Sequence, residues 1–499
     1  MPSPNRWTLT ATVLASSMTF IDATVVNVAL PALQADLQAT ITDVQWVIEA
    51  YALFLGALIL VGGSMGDQFG RKRIFIFGVL FFTTASVFCG IATSPAALIT
   101  GRALQGIGAA FLVPGSLAII SATFDDGERG RAIGTWSGFS AITTAIGPVT
   151  GGWLVEHVSW RAVFFLNVPL AVIVLVLSLR FMNESRDPSR TTQIDWSGAA
   201  LAVLGLGGLV FGLLEWPPLG VGHPVVSGAL AIGACSLVWL FFVERRARNP
   251  MLPLDLFRSR PFALANLLTL FLYAALSLVL FLVPLNLIQI QHYTATAAGA
   301  ALLPFPVIMF TLSRWSGGLV ARIGSRLPLT LGPAISALGL ALYARPGVGG
   351  SYWTTFFPAV VVLAFGMAIT VAPLTTTVMG AVDVRHAGAA SGINNAVARV
   401  AGLLAIAVFG VVLARTFEAR VRPRLDRLAL SPAAQEGIAR ELPKLAGADI
   451  ARVPSMPPQK RPVVRRIVDE GFVFAFRLVM IGAAGLALAA AGFGNAIRP

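Results

Sequence analysis

Apolar stretches of roughly twenty residues, the length that spans a bilayer core as a helix, recur along the whole chain and alternate with short polar segments. The stretches are continuous rather than alternating in polarity, which excludes the strands of a membrane β-barrel. The pattern therefore predicts an all-α polytopic membrane protein with fourteen transmembrane helices. Their approximate positions are 8–30, 43–63, 74–93, 96–120, 131–155, 161–181, 196–215, 223–244, 262–288, 297–319, 327–344, 353–374, 390–414 and 472–494.

Composition supports this prediction and charge adds an orientation. Of the 499 residues, 56% are hydrophobic and 12% are charged, whereas a soluble domain has about 25% charged residues. A net charge of +13 would suggest a nucleic-acid partner for a soluble protein. Here the Lys and Arg residues of the short loops concentrate on one side, which identifies that side as cytoplasmic. We expect a multi-pass protein of a bacterial cytoplasmic (inner) membrane, with both termini cytoplasmic and without a nucleic-acid partner.

Two similar loops indicate an internal repeat. The loop "GGSMGDQFGRKR" follows predicted span 2, and "GGLVARIGSRLP" follows span 10. Aligning Gly63 with Gly317 gives an offset of 254 residues and keeps a second glycine in register. Two six-helix halves related by duplication would produce this placement. The predicted organisation is an N-terminal half (1–190), two inserted transmembrane helices (191–250) and a C-terminal half (251–499) that includes a long outer loop (415–471).

Four motifs occur in order on the predicted elements. "DATVVNVALP" lies in span 1, "GGSMGDQFGRKR" follows span 2, "LITGRALQGIGAA" lies in span 4 and "AIGPVTGG" lies in span 5. Together they resemble the major facilitator superfamily, in particular its fourteen-span drug/proton antiporters, and the resemblance covers almost the whole chain. It implies two six-helix halves plus two inserted helices, and export of drugs in exchange for protons.

The resemblance assigns roles to the loop and to span 5. In the loop it implies gating, while Gln68 departs from the family's pattern by replacing a basic residue. In span 5 it implies export, and Thr143 stands where the family's exporter motif has glycine. The matching loop residues are Gly63, Asp67, Gly70, Arg71 and Lys72, and the matching span 5 residues are Gly147, Pro148, Gly151 and Gly152. Physically, the proline bends the helix and the glycines let another helix approach closely.

Three charged residues fall at similar depth in three predicted spans. Asp22 lies roughly 12 Å below one membrane surface, and Glu49 and Arg102 lie roughly 9 Å below the same surface, at 1.5 Å per helical residue. Carboxylates beside a guanidinium are suited to proton coupling, because a conformational change can move the proton on or off. A structural cluster in which Arg102 neutralises Asp22 is the alternative. Ionisable residues inside a membrane favour the functional interpretation.

Other polar and aromatic residues in the spans are candidates for a substrate cavity. Aromatic rings could hold a lipophilic cation by cation–π contact, although core packing is the alternative for each one. The candidates are Asn27, Trp46, Tyr51, Gln105, Asn266, Phe305 and Arg399.

Several classes of function are disfavoured. No phosphate-binding G-x-x-x-x-G-K-S/T loop is present, and the four histidines lie in different loops, so we expect no ATP, metal or other cofactor and no enzyme activity. The predicted function is a proton-coupled antiporter that exports lipophilic, cationic drugs or other small toxic compounds by alternating access across the lipid bilayer. A proton-coupled uptake symporter and a non-transporting membrane sensor or assembly partner are the alternatives. In the outer loop, "SPAAQEGIARELPKL" predicts a short amphipathic helix, in either a cap or a passive connector.

Overall fold

The computed structural model describes residues 4–124, 126–186, 195–246, 254–317, 319–382, 387–428, 430–453 and 456–497. These residues are almost entirely helical, and no β-strand occurs within these ranges. The all-α prediction is confirmed. The helices are α1 (Pro4–Asp36), α2 (Ile41–Phe69), α3 (Arg71–Gly90), α4 (Pro95–Thr123), α5 (Asp126–His157), α6 (Ala162–Phe165), α7 (Asn167–Phe181), α8 (Trp196–Leu219), α9 (Pro224–Arg246), α10 (Arg260–Gln289), α11 (Ala295–Ala301), α12 (Pro304–Gly317), α13 (Leu319–Ile323), α14 (Arg326–Leu342), α15 (Phe356–Gly380), α16 (Ala387–Asp426), α17 (Pro432–Glu441) and α18 (Arg461–Ala496).

Each predicted span has a helical counterpart, and several helices are longer than predicted. Twelve segments of the described chain are long and apolar enough to cross a membrane. The two other predicted spans coincide with α5, which is more polar, and with α14, which is shorter. The count of fourteen spans stays a prediction. Large apolar side chains such as Ile232, Trp239 and Leu488 are exposed on the outside of the bundle, where lipid would cover them.

Local signals explain where several helices begin. Thr40 caps α2, its side chain accepting a hydrogen bond from the Asp43 backbone, while the Asp43 carboxylate accepts one from the Thr40 backbone. The Ser94 side chain caps α4 by accepting a hydrogen bond from the Ala97 backbone, and Pro95 occupies the first turn, where no backbone donor is needed. The predicted spans stop short of these caps because hydropathy detects only the apolar centre of each helix.

The helices form two groups that touch in a few places. In the first, α1 packs against α4, α5 and α7, and α4 packs against α2 and α3. In the second, α10 and α14 pack against α18, while α10 also packs against α16 and α14 against α15. Contacts between the groups are made chiefly by α5 with α11 and by α2 with α16. The predicted boundaries at 190 and 250 lie outside the described residues, and the division into halves stays a prediction.

The two inserted helices form a hairpin on one side of the bundle. α8 and α9 pack against each other along their length, and α8 also contacts both α2 and α16. Glycines make the hairpin tight: a Cβ on Gly208 would lie 2.7 Å from the Ala229 carbonyl oxygen. The hairpin thus spans the junction between the two helix groups.

The segment that joins the last two long helices is compact. α16 continues to Asp426 and α18 begins at Arg461, so both ends of the predicted 415–471 loop are helical. The predicted amphipathic helix is present as α17, and a 3-10 turn at Leu442–Gly447 follows it. We call residues 427–460 the cap segment and the end of the bundle where it lies the cap end.

Candidate functional site

The side chain of Asp22 on α1 is fully buried and accepts hydrogen bonds from three donors. The Arg102 guanidinium, on α4, contacts Oδ2 in an ion pair. Oδ1 accepts from Nε2 of Gln105 at 3.1 Å and from Nδ2 of Asn167 at 3.4 Å. The carboxylate is therefore satisfied as an anion, which is the condition under which a charge can be retained inside an apolar bundle.

Arg102 is itself held on several sides. Its Nε donates to the Val47 carbonyl oxygen at 3.0 Å and its Nη1 donates to Oε1 of Gln105 at 2.8 Å. Its guanidinium carbon lies 4.4 Å from the centroid of the Tyr51 ring, a cation–π contact. Only 2% of its side chain is exposed. Removing the carboxylate from such a pair would leave a buried, uncompensated charge, which costs about 3–5 kcal/mol.

A second layer of polar groups supports the pair. Nδ2 of Asn167 also donates to Oγ of Ser86 at 2.9 Å, and Ser86 donates to the Phe164 carbonyl oxygen at 2.8 Å. The Cys89 thiol donates to Oε1 of Gln105 at 3.3 Å. These contacts tie α3 and α7 to the site, so that side chains or backbone from α1, α2, α3, α4 and α7 meet around one carboxylate.

Of the three charged residues predicted at one depth, two are in contact. Asp22 and Arg102 touch, whereas Glu49 lies outside their hydrogen-bonded group. Glu49 is fully buried, and neither carboxyl oxygen has a hydrogen-bond partner within the described part of the chain. One turn earlier, Nε2 of Gln45 donates to the Ile406 carbonyl oxygen of α16. Residues four apart share a helix face, so Glu49 lies on the side of α2 that meets the second helix group.

The span 5 motif places α5 between the helix that carries Asp22 and the second helix group. A Cβ on Gly147 would collide with the Thr24 side chain, and one on Gly151 would collide with Val25, both on α1. The next residue, Gly152, meets the Ala295 carbonyl at the start of α11 in the same manner.

Pro148 contributes to that second contact. Its carbonyl oxygen lies against Gly299 of α11, where a side chain would not fit. The motif therefore lets α5 approach two helices at once, with α1 on one side and α11 on the other.

The loop motif lies at the junction of α2 and α3, at the end of the first helix group that is opposite the cap end. Gly70 has φ of 112°, a conformation that favours glycine, and a Cβ there would lie 2.8 Å from the Glu184 carboxyl group. Glu184 accepts hydrogen bonds from the backbone of Lys72 at 3.0 Å and of Arg73 at 3.2 Å, and so caps the start of α3. Nζ of Lys72 donates to the Met182 carbonyl at the end of α7, at 2.7 Å.

The remaining loop residues add less. A Cβ on Gly63 would make an ordinary 3.5 Å contact with Pro114, and the Arg71 backbone donates to the Ser185 carbonyl at 3.0 Å. The Asp67 side chain lies outside the described residues. The gating role of this loop stays a prediction.

The candidate cavity residues do not form one group. Tyr51 and Gln105 belong to the Asp22 site. Nε1 of Trp46 donates to Oε1 of Glu215 on α8 at 3.4 Å, so this ring faces the inserted hairpin. Nδ2 of Asn27 donates at 3.1 Å to the Ala23 carbonyl of its own helix.

The other three candidates lie in the second helix group. Asn266 accepts a hydrogen bond from Nδ2 of Asn394 at 3.2 Å, and Asn394 also donates to Oγ1 of Thr269 at 2.7 Å. Phe305 is partly buried against the main core. Arg399 faces α2, where a Cβ on Gly56 would lie 3.7 Å from its own Cβ. Their role in substrate binding stays a prediction.

The sequence interpretation missed Asn167, Ser86 and Glu184. Asn167 lies six residues after the start of predicted span 6, which is the same depth by which Arg102 was selected. Depth is therefore the sequence signal that identifies Asn167. Glu184 follows the end of a span, and no periodicity marks a carboxylate that caps a distant helix.

A bundle of apolar helices built around a buried, hydrogen-bonded carboxylate–guanidinium pair is typical of membrane transporters. The chain belongs to the Major Facilitator Superfamily, whose family model matches residues 12–406. It is therefore a multi-pass membrane transporter and not an enzyme.

Two curated relatives span nearly the whole chain. The chain is 35% identical over 483 residues to the multidrug resistance protein Stp of Mycobacterium tuberculosis (strain CDC 1551 / Oshkosh), covering 95% of this chain and 88% of that protein. It is 32% identical over 497 residues to the tetracenomycin C resistance and export protein of Streptomyces glaucescens, covering 97% and 90%.

Among solved structures, the chain resembles an inward-facing, unoccupied bacterial homologue of the human lysosomal transporter Spinster. The TM-score is 0.71 at 18% identity, with 99% of this chain and 97% of that chain covered. At that identity the likeness concerns the fold alone.

Proposed function

We propose that the protein is a proton-coupled antiporter that exports lipophilic, cationic small molecules across the bacterial cytoplasmic membrane by alternating access. The names of its relatives, which describe multidrug resistance and tetracenomycin C resistance and export, support the export of toxic compounds. The observation that carries the proton-coupling part is the buried Asp22–Arg102 pair. Protons are the coupling ion in this proposal, and neither ATP nor a bound cofactor takes part.

The pair couples protonation to conformation by a simple electrostatic argument. In the described arrangement Asp22 compensates the positive charge of Arg102 inside the bundle. Protonation of Asp22 removes that compensation and leaves Arg102 as an unpaired buried cation, at a cost of about 3–5 kcal/mol. The protonated protein therefore favours a different arrangement of the surrounding helices, in which the cation is hydrated or paired elsewhere.

α5 provides a route for that rearrangement. Gly147 and Gly151 pack against α1 within one turn of Asp22, and Gly152 packs against α11 in the other helix group. A shift of α1 would be passed on to α5 at these contacts, because Thr24 and Val25 of α1 lie directly against the α5 glycines and leave no free space between the two helices. Protonation of Asp22 would then alter the contact between the two groups, which is what alternating access requires.

Glu49 is the candidate for a second proton site. Its carboxyl group is buried without a partner on the face of α2 that meets α16. An isolated carboxylate is costly in such a place, so Glu49 would carry a proton in this state and release it when α2 and α16 separate.

The direction of transport rests on the predicted orientation. With both termini in the cytoplasm, the loop that carries Gly70 and Lys72 is cytoplasmic and the cap end faces outward. Protons would enter from outside and substrate would leave there, with about 2.3 kcal/mol available per charge for each 100 mV of membrane potential.

The test is substrate export by Asp22→Asn in a host that lacks its own efflux pumps. The variant should lose resistance to lipophilic cations and lose proton-driven accumulation of a fluorescent cation in everted vesicles, while inserting at normal levels. The control is Asp255→Asn, which removes an exposed carboxylate paired with exposed Arg258. Normal export by Asp22→Asn would refute the proposal, and accumulation in the reverse direction would indicate uptake.

A further inference from the structure

Asn167 has an unusual combination of contacts beside the proposed proton site. Its amide nitrogen donates to Oδ1 of Asp22 at 3.4 Å and to Oγ of Ser86 at 2.9 Å. Its own Oδ1 is buried and has no hydrogen-bond partner within the described part of the chain. An orphaned buried carbonyl normally costs about 1–3 kcal/mol, so a reason for keeping it is required.

The protonated form of Asp22 supplies that reason. A carboxylic acid carries a hydroxyl that must donate to an acceptor. Oε1 of Gln105, the other nearby amide oxygen, already accepts from Arg102 and from Cys89. The unused Oδ1 of Asn167 can replace Nδ2 by a half-turn of the amide about its χ2 bond. Ser86 can follow, because a hydroxyl both donates and accepts.

We propose that Asn167 is a positioning residue that stabilises Asp22 in both protonation states. Its nitrogen faces the carboxylate and its oxygen faces the carboxylic acid. This inference rests on the proposed function. The ionisable groups that face Asp22 from the surrounding helices are Arg102 on α4, Tyr51 on α2 and Cys89 on α3, and none of them offers an unused oxygen acceptor in the same place.

The experiment measures proton release from purified protein when a lipophilic cation is added, as a function of pH. Asn167→Leu should shift the midpoint of this profile by about one unit to lower pH, because the acid form loses its acceptor while the carboxylate keeps Arg102 and Gln105. Asn167→Thr, whose hydroxyl both donates and accepts, should bring the midpoint most of the way back to the wild-type value. Ser178→Ala is the matched control on the same helix, since it removes a buried hydroxyl that has no hydrogen-bond partner among the described residues.

The outcomes separate the two proposals. If the wild-type protein releases no protons, the proposed function fails. If it does and a folded Asn167→Leu variant keeps the wild-type midpoint, or moves it upward, the role of Asn167 is refuted while proton coupling stands.

Independent contacts at the cap end support a second inference. Nε2 of Gln289, the last residue of α10, donates to Oε1 of Gln34 on α1 at 2.8 Å. The two glutamines are 255 residues apart, within one residue of the repeat offset, and thus occupy nearly equivalent positions in the two halves. Their hydrogen bond joins α1 of the first helix group to α10 of the second.

The cap segment rests directly on this pair. Nε2 of Gln34 donates to the Lys444 carbonyl oxygen at 3.2 Å. A Cβ on Gly447 would lie 2.6 Å from Oε1 of Gln34 and 3.0 Å from Nε2 of Gln289, so a larger residue there would displace the two glutamine side chains. Nζ of Lys444, largely buried, donates to Oε1 of Gln38 at 2.9 Å.

On its other side, the cap segment is fastened to the second half. Its chain continues into α16 and α18, and Arg465 of α18 donates both to the Ala448 carbonyl and to the Gln289 carbonyl, each at 3.0 Å. Separation of the halves at this end would therefore carry the cap segment with the C-terminal half. The contacts of the cap segment with Gln34 of α1 and with Gln38 in the turn that follows α1 would then break.

We infer that the cap segment is a plug that closes the outer end of the transport pathway and leaves its seat on α1 in each cycle. This second inference also rests on the proposed function. Two cross-links made with a reducible bifunctional thiol reagent test it, in a Cys235→Ser background that leaves the buried Cys89 in place. Gln38→Cys with Lys444→Cys joins the plug to the turn directly after α1 (the α1 cross-link), and Ala448→Cys with Arg465→Cys joins it to α18 (the α18 cross-link).

The α1 cross-link should abolish export and a reductant should restore it, whereas the α18 cross-link should leave export close to the level before treatment. Export that survives the α1 cross-link would overturn the inference, as would equal inhibition by both cross-links. A protein that fails to export before cross-linking would contradict the proposed function instead.

Discussion

The two helix groups bury polar side chains in different ways. In the first group, Asp22 and Arg102 form a charged pair. In the second group, Asn394 donates to Asn266 and to Thr269, a network without formal charge. Both arrangements join helices through hydrogen bonds, but only the first changes its total charge when one proton binds.

The difference indicates that the two helix groups respond differently to protons. A neutral amide network has the same strength across the physiological pH range and so acts as a fixed joint. A charged pair is broken by one proton, because the guanidinium stays charged at all relevant pH values. Under the proposed function, the first helix group binds the proton and the second group responds through α5 and α11.

The largest effect should follow from breaking the charged pair on one side only. Arg102→Leu leaves the Asp22 carboxylate buried and unpaired, and should lower the free energy of unfolding by about 3–5 kcal/mol. Thermal unfolding of the purified protein measures this. The double variant Asp22→Leu with Arg102→Leu should regain stability, because it removes both charges, yet it should not export. Equal instability of the single and double variants would contradict the charge argument.

The next largest effect concerns the contact between α1, which carries Asp22, and α5, which also touches the second helix group. Gly151→Ala places a methyl group against Val25 of α1 and should cost about 1–3 kcal/mol as an overpacked contact. The export rate should fall even where the variant remains folded, because the proposed rearrangement passes through this contact. Gly228→Ala on α9 is the control, since a Cβ there meets nothing within 4 Å. Equal export by the two alanine variants would mean that α5 does not transmit the change.

A smaller effect is expected in the neutral network. Asn394→Ala removes two hydrogen bonds and should lower the free energy of unfolding by about 1–2 kcal/mol. Because no charge is involved, the pH dependence of export should keep its wild-type midpoint even if the maximal rate falls. A shifted midpoint, measured in vesicles over a pH series, would assign proton chemistry to the second half as well.

The smallest structural effect should come from Glu49→Gln. The side chain keeps its shape and no partner loses a contact, because neither carboxyl oxygen has one within the described residues. Stability should change by less than about 1 kcal/mol. If Glu49 carries a second proton, the number of protons released per substrate, measured by titration, should fall by one. An unchanged number would leave Asp22 as the sole site.

Sequence reasoning reached the charged pair but not the whole site. Hydropathy gave the depth of Asp22 and Arg102, and depth was sufficient because two buried opposite charges must find each other. It was insufficient for Glu49, since rotation about a helix axis cannot be obtained from depth, and α2 turns this residue toward α16 instead of α4.

The cap segment was beyond sequence reasoning for another reason. Its short amphipathic helix followed from local pattern and is present. Its contacts with Gln34 and Gln289, however, join positions far apart in the chain, and polar residues at span ends are too common to identify a partner. Helices are encoded locally, whereas the contacts between halves are set by the packing of the entire bundle.

The most direct test of the central claim compares two modes of transport by Asp22→Asn in proteoliposomes. Counterflow exchanges labelled for unlabelled lipophilic cation without net proton movement, whereas a pH gradient drives net accumulation. The variant should retain counterflow and lose accumulation, because it still alternates between conformations but no longer exchanges a proton. Accumulation at the wild-type rate would contradict the claim that Asp22 couples protons to export.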